Sequence, residues 1–333
     1  LPAHAISCTG SSGLSIKTIA ECYPEELRKQ FFGVHMFNPP YSMTLCELIP
    51  TIYSNNSLLA DLKEYLEKIL LRTVVVVKDS PAFLGNRIGF QFINESLQFA
   101  ERYKNNGGVD YIDAIIGPFT GRSMPPLVTA DFVGLDVHKA IVDNLYANTK
   151  DYASKTFIFP RYAQQLVDEA KLGRKSGQGL YKTVKYENGS KRIMVFDLIS
   201  GQYRDKIEYV FPFSEKMNEY ISNGDYDKAF QRLVADHSQE AHICLSFLLK
   251  YLVYSLYTTE EVGYTIEAAD DVMATGFNWC PPLAMYQVLS KVANVKQLII
   301  ERIGNEVDVD LDHLLANVQL SKYDYRIFLK SDR

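Results

Sequence analysis

The sequence predicts an α/β segment followed by an all-helical region that occurs twice. Three observations predict it. Residues 31 to 77 run strand, strand, helix, strand, and the last strand, Thr73-Val74-Val75-Val76-Val77, is a β-branched run with no polar alternation. Such a run marks a strand covered on both faces, as in the tail of a doubly wound sheet. Beyond Leu84, apolar residues recur mainly at helical spacing. The order long helix, short helix, Pro-Pro-Leu appears at Pro125-Pro126-Leu127 and again at Pro281-Pro282-Leu283.

Taken in order, Ala5 to Cys8 reads as a short strand end. A small-residue loop, Thr9-Gly10-Ser11-Ser12-Gly13, and a short helix, Leu14 to Ala20, follow. A loop of hydroxyls and glycines at a strand's carboxyl end is where an open α/β sheet places its ligand, although an ordinary turn has the same composition. Phe31 to Phe37 is strand-like and is ended by Asn38-Pro39-Pro40, because proline cannot donate to a sheet ladder and restrains the residue before it. A second short strand runs from Thr44 to Ile49. Asn55-Asn56-Ser57 offers a cap to a helix carrying Leu58, Leu62, Leu66 and Ile69. Lys78-Asp79-Ser80-Pro81 reads as a hinge. A helix from Leu84 to Tyr103 is stopped by Asn105-Asn106-Gly107-Gly108, and another starts at Val109 and ends at Gly117-Pro118. Tyr186-Glu187-Asn188-Gly189 marks a hairpin with Ile193 to Phe196 as return strand, and Ser200-Gly201 a second turn. Helical pattern resumes at Asp236, with a long helix through Leu256 and a shorter one from Ile266 to Ala274.

At 333 residues the chain has room for several domains, expected at 1–79, 80–185, 186–235 (a linker with a hairpin) and 236–333. A composition of 47% hydrophobic and 23% charged residues is that of a globular protein. The net charge of -5 argues against a nucleic-acid partner, which needs a basic face. No apolar run approaches a membrane span, so no membrane partner is expected. Five scattered cysteines without CxxC spacing suit a reducing compartment, with a cytoplasmic location expected, and offer no zinc site. His237, His242 and His313 lack ligand spacing and read as structural. There is no GxGxxG turn and no initiator methionine, so the chain is expected to begin inside a longer protein.

Chemistry concentrates in FFGVHMFNPPYSMTLCE, residues 31 to 47. His35 interrupts one buried-looking strand and Glu47 sits inside the next. A carboxylate on one imidazole nitrogen fixes the tautomer and stabilises the protonated ring, leaving the other nitrogen as a base near neutral pH. The alternative is a core histidine satisfied by a backbone carbonyl and an edge-strand glutamate in water.

The run GVHMFNPP, then Glu47, then VVVVKDSPAFLGNRIG, closely resembles the 3-hydroxyacyl-CoA dehydrogenase family, which carries a His-Phe-Phe-Asn-Pro motif, a glutamate twelve positions on, and Lys-Asp-x-Pro-x-Phe-x-x-Asn-Arg. Met36 replaces the first phenylalanine. KLGRKSGQGLYK, residues 171 to 182, resembles the family's Gly-Arg-Lys-x-Gly-x-Gly-Phe-Tyr element, with Leu180 for phenylalanine. The resemblance implies the C-terminal portion of a Rossmann-type domain, then a duplicated helical dehydrogenase C-terminal domain. It implies His35 and Glu47 as catalytic residues and Ser12 and Asn86 as substrate-binding residues. Ser12, Asn38 and Lys175 fall at cofactor contacts, with NAD as cofactor. Gly10 stands where the family has asparagine, Ser11 competes with Ser12 for the serine role, and Asn86 could equally cap its helix. The implied partners are a 3-hydroxyacyl-CoA substrate, a second copy in a homodimer, and a hydratase domain in the full-length chain.

The leading expectation is therefore NAD-dependent oxidation of (3S)-3-hydroxyacyl-CoA to 3-oxoacyl-CoA in fatty-acid β-oxidation, with this stretch inactive by itself. Two others stand beside it. One is a non-catalytic acyl-CoA-binding or dimerisation module, motivated by the missing glycine-rich turn and by Gly10. The other is a dehydrogenase of a different hydroxylated substrate.

Overall fold

The computed structural model describes residues 5–186 and 189–331. Leu1 to His4 and the expected turn residues Glu187-Asn188 lie outside the described residues. In chain order the elements are β1 (Ser7–Thr9), α1 (Ile16–Ala20), β2 (Phe31–Met36), β3 (Leu45–Ile49), α2 (Asn56–Lys68), β4 (Thr73–Val76) and α3 (Gly85–Arg102). Then come α4 (Val109–Ile115), α5 (Pro126–Val133), α6 (Leu135–Asn148), α7 (Arg161–Asp168), β5 (Tyr181–Lys185), β6 (Lys191–Phe196) and β7 (Tyr203–Asp205). The remainder is helical: α8 (Pro212–Ser222), α9 (Tyr226–Ala235), α10 (Gln239–Val262), α11 (Ala268–Val272), α12 (Pro282–Ser290), α13 (Val295–Ile303) and α14 (Leu311–Ala316).

The chain divides into two compact units that are not consecutive segments. One holds residues 1–89, 252–287 and 309–324, and the other 90–251, 288–308 and 325–333. This differs from the expected consecutive domains because helices α3, α10 and α12 each run from one unit into the other. The expected hinge at 78–81 lies inside the first unit.

In that first unit the sheet order is β1-β2-β3-β4, with β1–β2 and β3–β4 parallel and β2–β3 antiparallel. Strand period two sorts the side chains. Phe32, Cys46 and Leu48, with Val34, Met36, Val74 and Val76 beside them, pack under Leu62 and Leu66 of α2. Asn55 caps α2, its Oδ1 accepting from the Ser57 and Leu58 N–H groups at 2.8 and 3.1 Å. The odd-numbered set, Phe31, His35, Leu45, Glu47 and Ile49, therefore faces away from α2 and is buried as well. That second buried face holds the candidate site.

The same unit contains the C-terminal part of α10, α11 and a π-helical turn, Met273–Phe277. Phe277 packs edge-on to Phe37 with centroids 5.7 Å apart and lies 5.2 Å from Trp279. A Cβ on Gly89 of α3 would stand 2.3 Å from the Phe277 ring, so only glycine permits this approach.

In the second unit β5, β6 and β7 form an antiparallel sheet in that order. Residues 212–235, expected as linker, form α8 and α9. Phe213, Met217 and Ile221 recur at i, i+4 and i+8, and Ala229, Phe230 and Leu233 do the same work on α9; all are buried. The two helical repeats share a capping device. Asp113 accepts the Leu127 and Val128 N–H groups at 2.8 and 3.1 Å. In the other unit Asp270 accepts the Leu283 N–H at 2.8 Å. Each acid thus binds the start of the helix that follows its own Pro-Pro-Leu.

Candidate active site

The register of β2 and β3 sets His35 directly opposite Glu47. Directly opposed residues share a face and are close enough for side-chain contact. His35 Nδ1 lies 2.7 Å from Glu47 Oε2. A carboxylate oxygen accepts only, so Nδ1–H donates and Nε2 carries the free lone pair. Glu47 is fully buried and His35 only 4% exposed. The alternative of a solvated glutamate is thereby removed.

The other carboxylate oxygen is held by the start of α3. Glu47 Oε1 accepts the Leu84 and Gly85 N–H groups at 3.0 and 2.8 Å. These are orphan donors of a helix N-terminus, where negative charge is favoured. Ala82 and Phe83 just before them have φ of 58° and 56°, the left-handed region that non-glycine residues rarely occupy. Those two residues turn the chain so that the N–H groups face Glu47. The Phe83 and Phe37 rings flank His35, with centroids 5.4 and 4.6 Å from the imidazole. The carboxylate therefore has its charge satisfied on one oxygen by backbone and presents the other to the histidine, within an aromatic surround.

Asn86 and Arg87 occupy the first turn of α3. Glu47 caps the helix, so Asn86 is not needed for that; its side chain is 7% exposed and has no hydrogen-bond partner among the described residues. Arg87 is fixed in the interior of the unit, its Nη2 donating to Glu261 Oε2 at 2.5 Å and its Nε to the Tyr254 hydroxyl at 3.2 Å. Arg87 thus anchors the turn that carries Asn86.

The loop after β1 is exposed at Gly10 and Ser12. Ser11 Oγ accepts the Leu14 N–H at 3.0 Å and so braces the loop, while Ser12 has no partner among the described residues. Asp79 holds the start of α1, directly after the loop. Its two oxygens accept from Ile16 N (3.0 Å), Lys17 N (2.8 Å) and Ser15 Oγ (2.9 Å). The sequence reading missed both Asp79 and the pair Ala82-Phe83. For Asp79 a signal existed, since an acid near a strand end can cap a neighbouring helix; for the left-handed pair none did.

Asn38 is exposed, directly after the dyad strand. Lys175 lies in the second unit, in the turn Arg174–Ser176, with Nζ 2.5 Å from Asp136 Oδ1. That turn closes on Asp131, whose oxygens accept the Leu180 and Tyr181 N–H groups at 2.8 and 2.7 Å. Gly173, at φ 99°, approaches the Asp131 carbonyl so closely that a Cβ would stand 2.3 Å from it.

For a dinucleotide, the residues present fit one end. A Cβ on Gly10 would meet nothing nearer than the Val34 carbonyl at 3.9 Å, so the loop carrying Ser12 has open space above it. The open loop, the free Ser12 hydroxyl and exposed Asn38 suit a nicotinamide and its ribose. No glycine-rich pyrophosphate turn occurs in the 333 residues.

Comparison with family models decides the affiliation. Residues 1–80 match the 3-hydroxyacyl-CoA dehydrogenase NAD binding domain, and residues 83–183 match the C-terminal domain of the same family, together more than half of the chain. The chain belongs to the 3-hydroxyacyl-CoA dehydrogenase family. Among its relatives, a probable 3-hydroxyacyl-CoA dehydrogenase of Bacillus subtilis is 27% identical over 305 residues, 91% of this chain and 37% of the relative. One of Deinococcus radiodurans is 34% identical over 189 residues, 56% of this chain and 54% of the relative. The chain thus spans about half or less of the length of these curated relatives. The solved structure of 3-hydroxybutyryl-CoA dehydrogenase from Escherichia coli aligns with a TM-score of 0.64 at 19% identity, over 95% of this chain and 76% of that one, a likeness of fold.

Proposed function

We propose that the protein of which this chain forms part oxidises (3S)-3-hydroxyacyl-CoA to 3-oxoacyl-CoA with NAD, in fatty-acid β-oxidation. The observation that carries the reading is the His35–Glu47 pair seated on the N-terminus of α3. His35 Nε2 takes the proton of the 3-hydroxyl. Glu47 holds Nδ1–H, orients the ring and stabilises the imidazolium that forms. Ser12 and Asn86 donate to the substrate oxygen as it becomes a carbonyl. NAD, when bound, accepts the hydride from carbon 3. Asn38 and Lys175 are carried as contacts to the cofactor. A homodimer and a hydratase domain elsewhere in the full-length chain belong to the same reading and rest on family resemblance, and a cytoplasmic location rests on the scattered cysteines.

The test is NADH oxidation with acetoacetyl-CoA, run on the 333-residue chain and on the full-length gene product. Turnover in the full-length product is the expected result. CoA-ester binding without turnover in either sample would leave a binding module instead.

A further inference from the structure

A cleft of about 1030 Å³ opens in the second unit, among α4, α5, one face of the β5–β6 hairpin, residues 206–210 and α8. None of His35, Glu47, Ser12 and Asn86 lines it. Small-molecule sites measure about 300–1,000 Å³ and are mostly apolar with a few polar groups. This cleft has that make-up. Val128, Phe132, Ile193, Ile207 and Val210 line it, and Phe132, Ile193, Ile207 and Val210 remain between 43% and 66% exposed. Four large apolar side chains left in water around one concavity mark a surface that lacks its occupant.

The charges around it are unevenly placed. Lys185 and Lys191 are directly opposite each other in the β5–β6 register, and both line the cleft. Like charges so placed repel across a ladder. Neither has a carboxylate partner among the described residues. Arg174, also at the rim, lies over the Phe132 ring at 5.5 Å. The acids that line the cleft are mostly engaged. Asp110 is held by Arg204, Glu208 by Lys206, and Asp113 and Asp131 by backbone N–H groups. Glu215 is the lining carboxylate without such a partner among the described residues. The opposed Lys185 and Lys191 therefore bring two cations together at one edge of the apolar hollow, apart from the ion pairs Arg204–Asp110 and Lys206–Glu208.

We propose that this cleft binds an amphiphile with an aliphatic body and an anionic head. The body lies along Val128, Phe132, Ile193 and Ile207, and the head sits between Lys185 and Lys191, relieving their repulsion. The shared chemistry admits a free acyl carboxylate or an acyl thioester with an anionic carrier.

The experiment is calorimetric titration of the full-length gene product with dodecanoate below its micellar concentration. Saturable binding is expected. It weakens by about tenfold or more in the K185E/K191E double variant, where both side chains are exposed and the fold is not at stake. Ile193→Trp, which fills the hollow, weakens it as well. His35→Ala leaves it essentially unchanged, which separates this cleft from the dyad. Displacement by dodecanoyl-CoA but not by CoA assigns the thioester as the natural source; no displacement assigns the free carboxylate. Absence of saturable binding, or equal affinity in wild type and K185E/K191E, overturns the proposal. So does dimerisation abolished by Ile193→Asp without any binding of dodecanoate, since a second copy would then be the occupant.

Discussion

Glu47 uses both oxygens, and that double use defines the residue scale of this protein. Backbone N–H groups hold one oxygen and an imidazole holds the other. A carboxylate so fixed cannot rotate away from His35, and the histidine tautomer follows from it. Asp79 does comparable service for the loop of Ser12. Its replacement by alanine strips three hydrogen bonds from the start of α1. Loss of such a cap costs about 0.5–2 kcal/mol, and urea denaturation of Asp79→Ala is expected to show a deficit in that range. An unchanged midpoint would mean that α1 stands without the acid. The dyad was legible in the sequence through the resemblance of GVHMFNPP and the glutamate twelve positions on to the family's motifs, whereas the residues alone left a core histidine and a solvated glutamate open. What surrounds it was less so. The left-handed pair Ala82 and Phe83 carries no glycine or asparagine to announce the turn, and Asn86 could be assigned as a cap until Glu47 was seen in that place.

At the scale of elements, the second helical repeat matters to the first unit through its π-helical turn. Phe277 lies against α3 at Gly89 and against Phe37, which in turn flanks His35. Gly89→Ala gains about 1 kcal/mol of helix propensity but forces a Cβ into a ring held between Phe37 and Trp279. Overpacking of this kind costs about 1–3 kcal/mol, so net destabilisation is expected. Gly89→Ala combined with Phe277→Leu should recover part of it in thermal unfolding. Equal loss in single and double variants would show that the ring is not the obstacle. The sequence reading gave the second repeat a packing role, and the long helix, short helix and Pro-Pro-Leu order was visible there. Helices α8 and α9 were not separated from the linker, because polar and tyrosine-rich stretches mask a stripe of only three apolar residues per helix.

For the whole molecule, buried acids make stability depend on pH. Burial pushes the Asp270 carboxyl up to about 7, against the pull of the Ser321 hydroxyl and the Leu283 N–H. Burial likewise raises Asp113 to about 7 and Asp131 to about 6. Between their ordinary value of 3.8 and these raised values the folded chain binds more protons than the unfolded one, so Asp270 and Asp113 lower stability as pH rises from about 4 to about 7, and Asp131 as it rises from about 4 to about 6. His138 has the opposite slope. Burial lowers it to about 3, so its contribution is lost as pH falls below 6.5. Asp270→Asn removes one falling slope. The difference in Tm, variant minus wild type, is expected to grow in the variant's favour from pH 4 to 7 and to level off above. A difference independent of pH would contradict the assignment. Lys250 is a charge inside the long helix α10. It is matched inside its unit by Glu95 at 2.7 Å and Glu306 at 2.6 Å, partners far off in the chain that no local pattern discloses.

The most direct test of the central claim is steady-state oxidation of (3S)-3-hydroxybutyryl-CoA by the full-length gene product and its Glu47→Gln and His35→Ala variants. The account predicts that kcat falls by about 10²–10⁴ in each, with KM for the CoA ester little changed and the fold intact by circular dichroism. Turnover at the wild-type rate in either variant would contradict it.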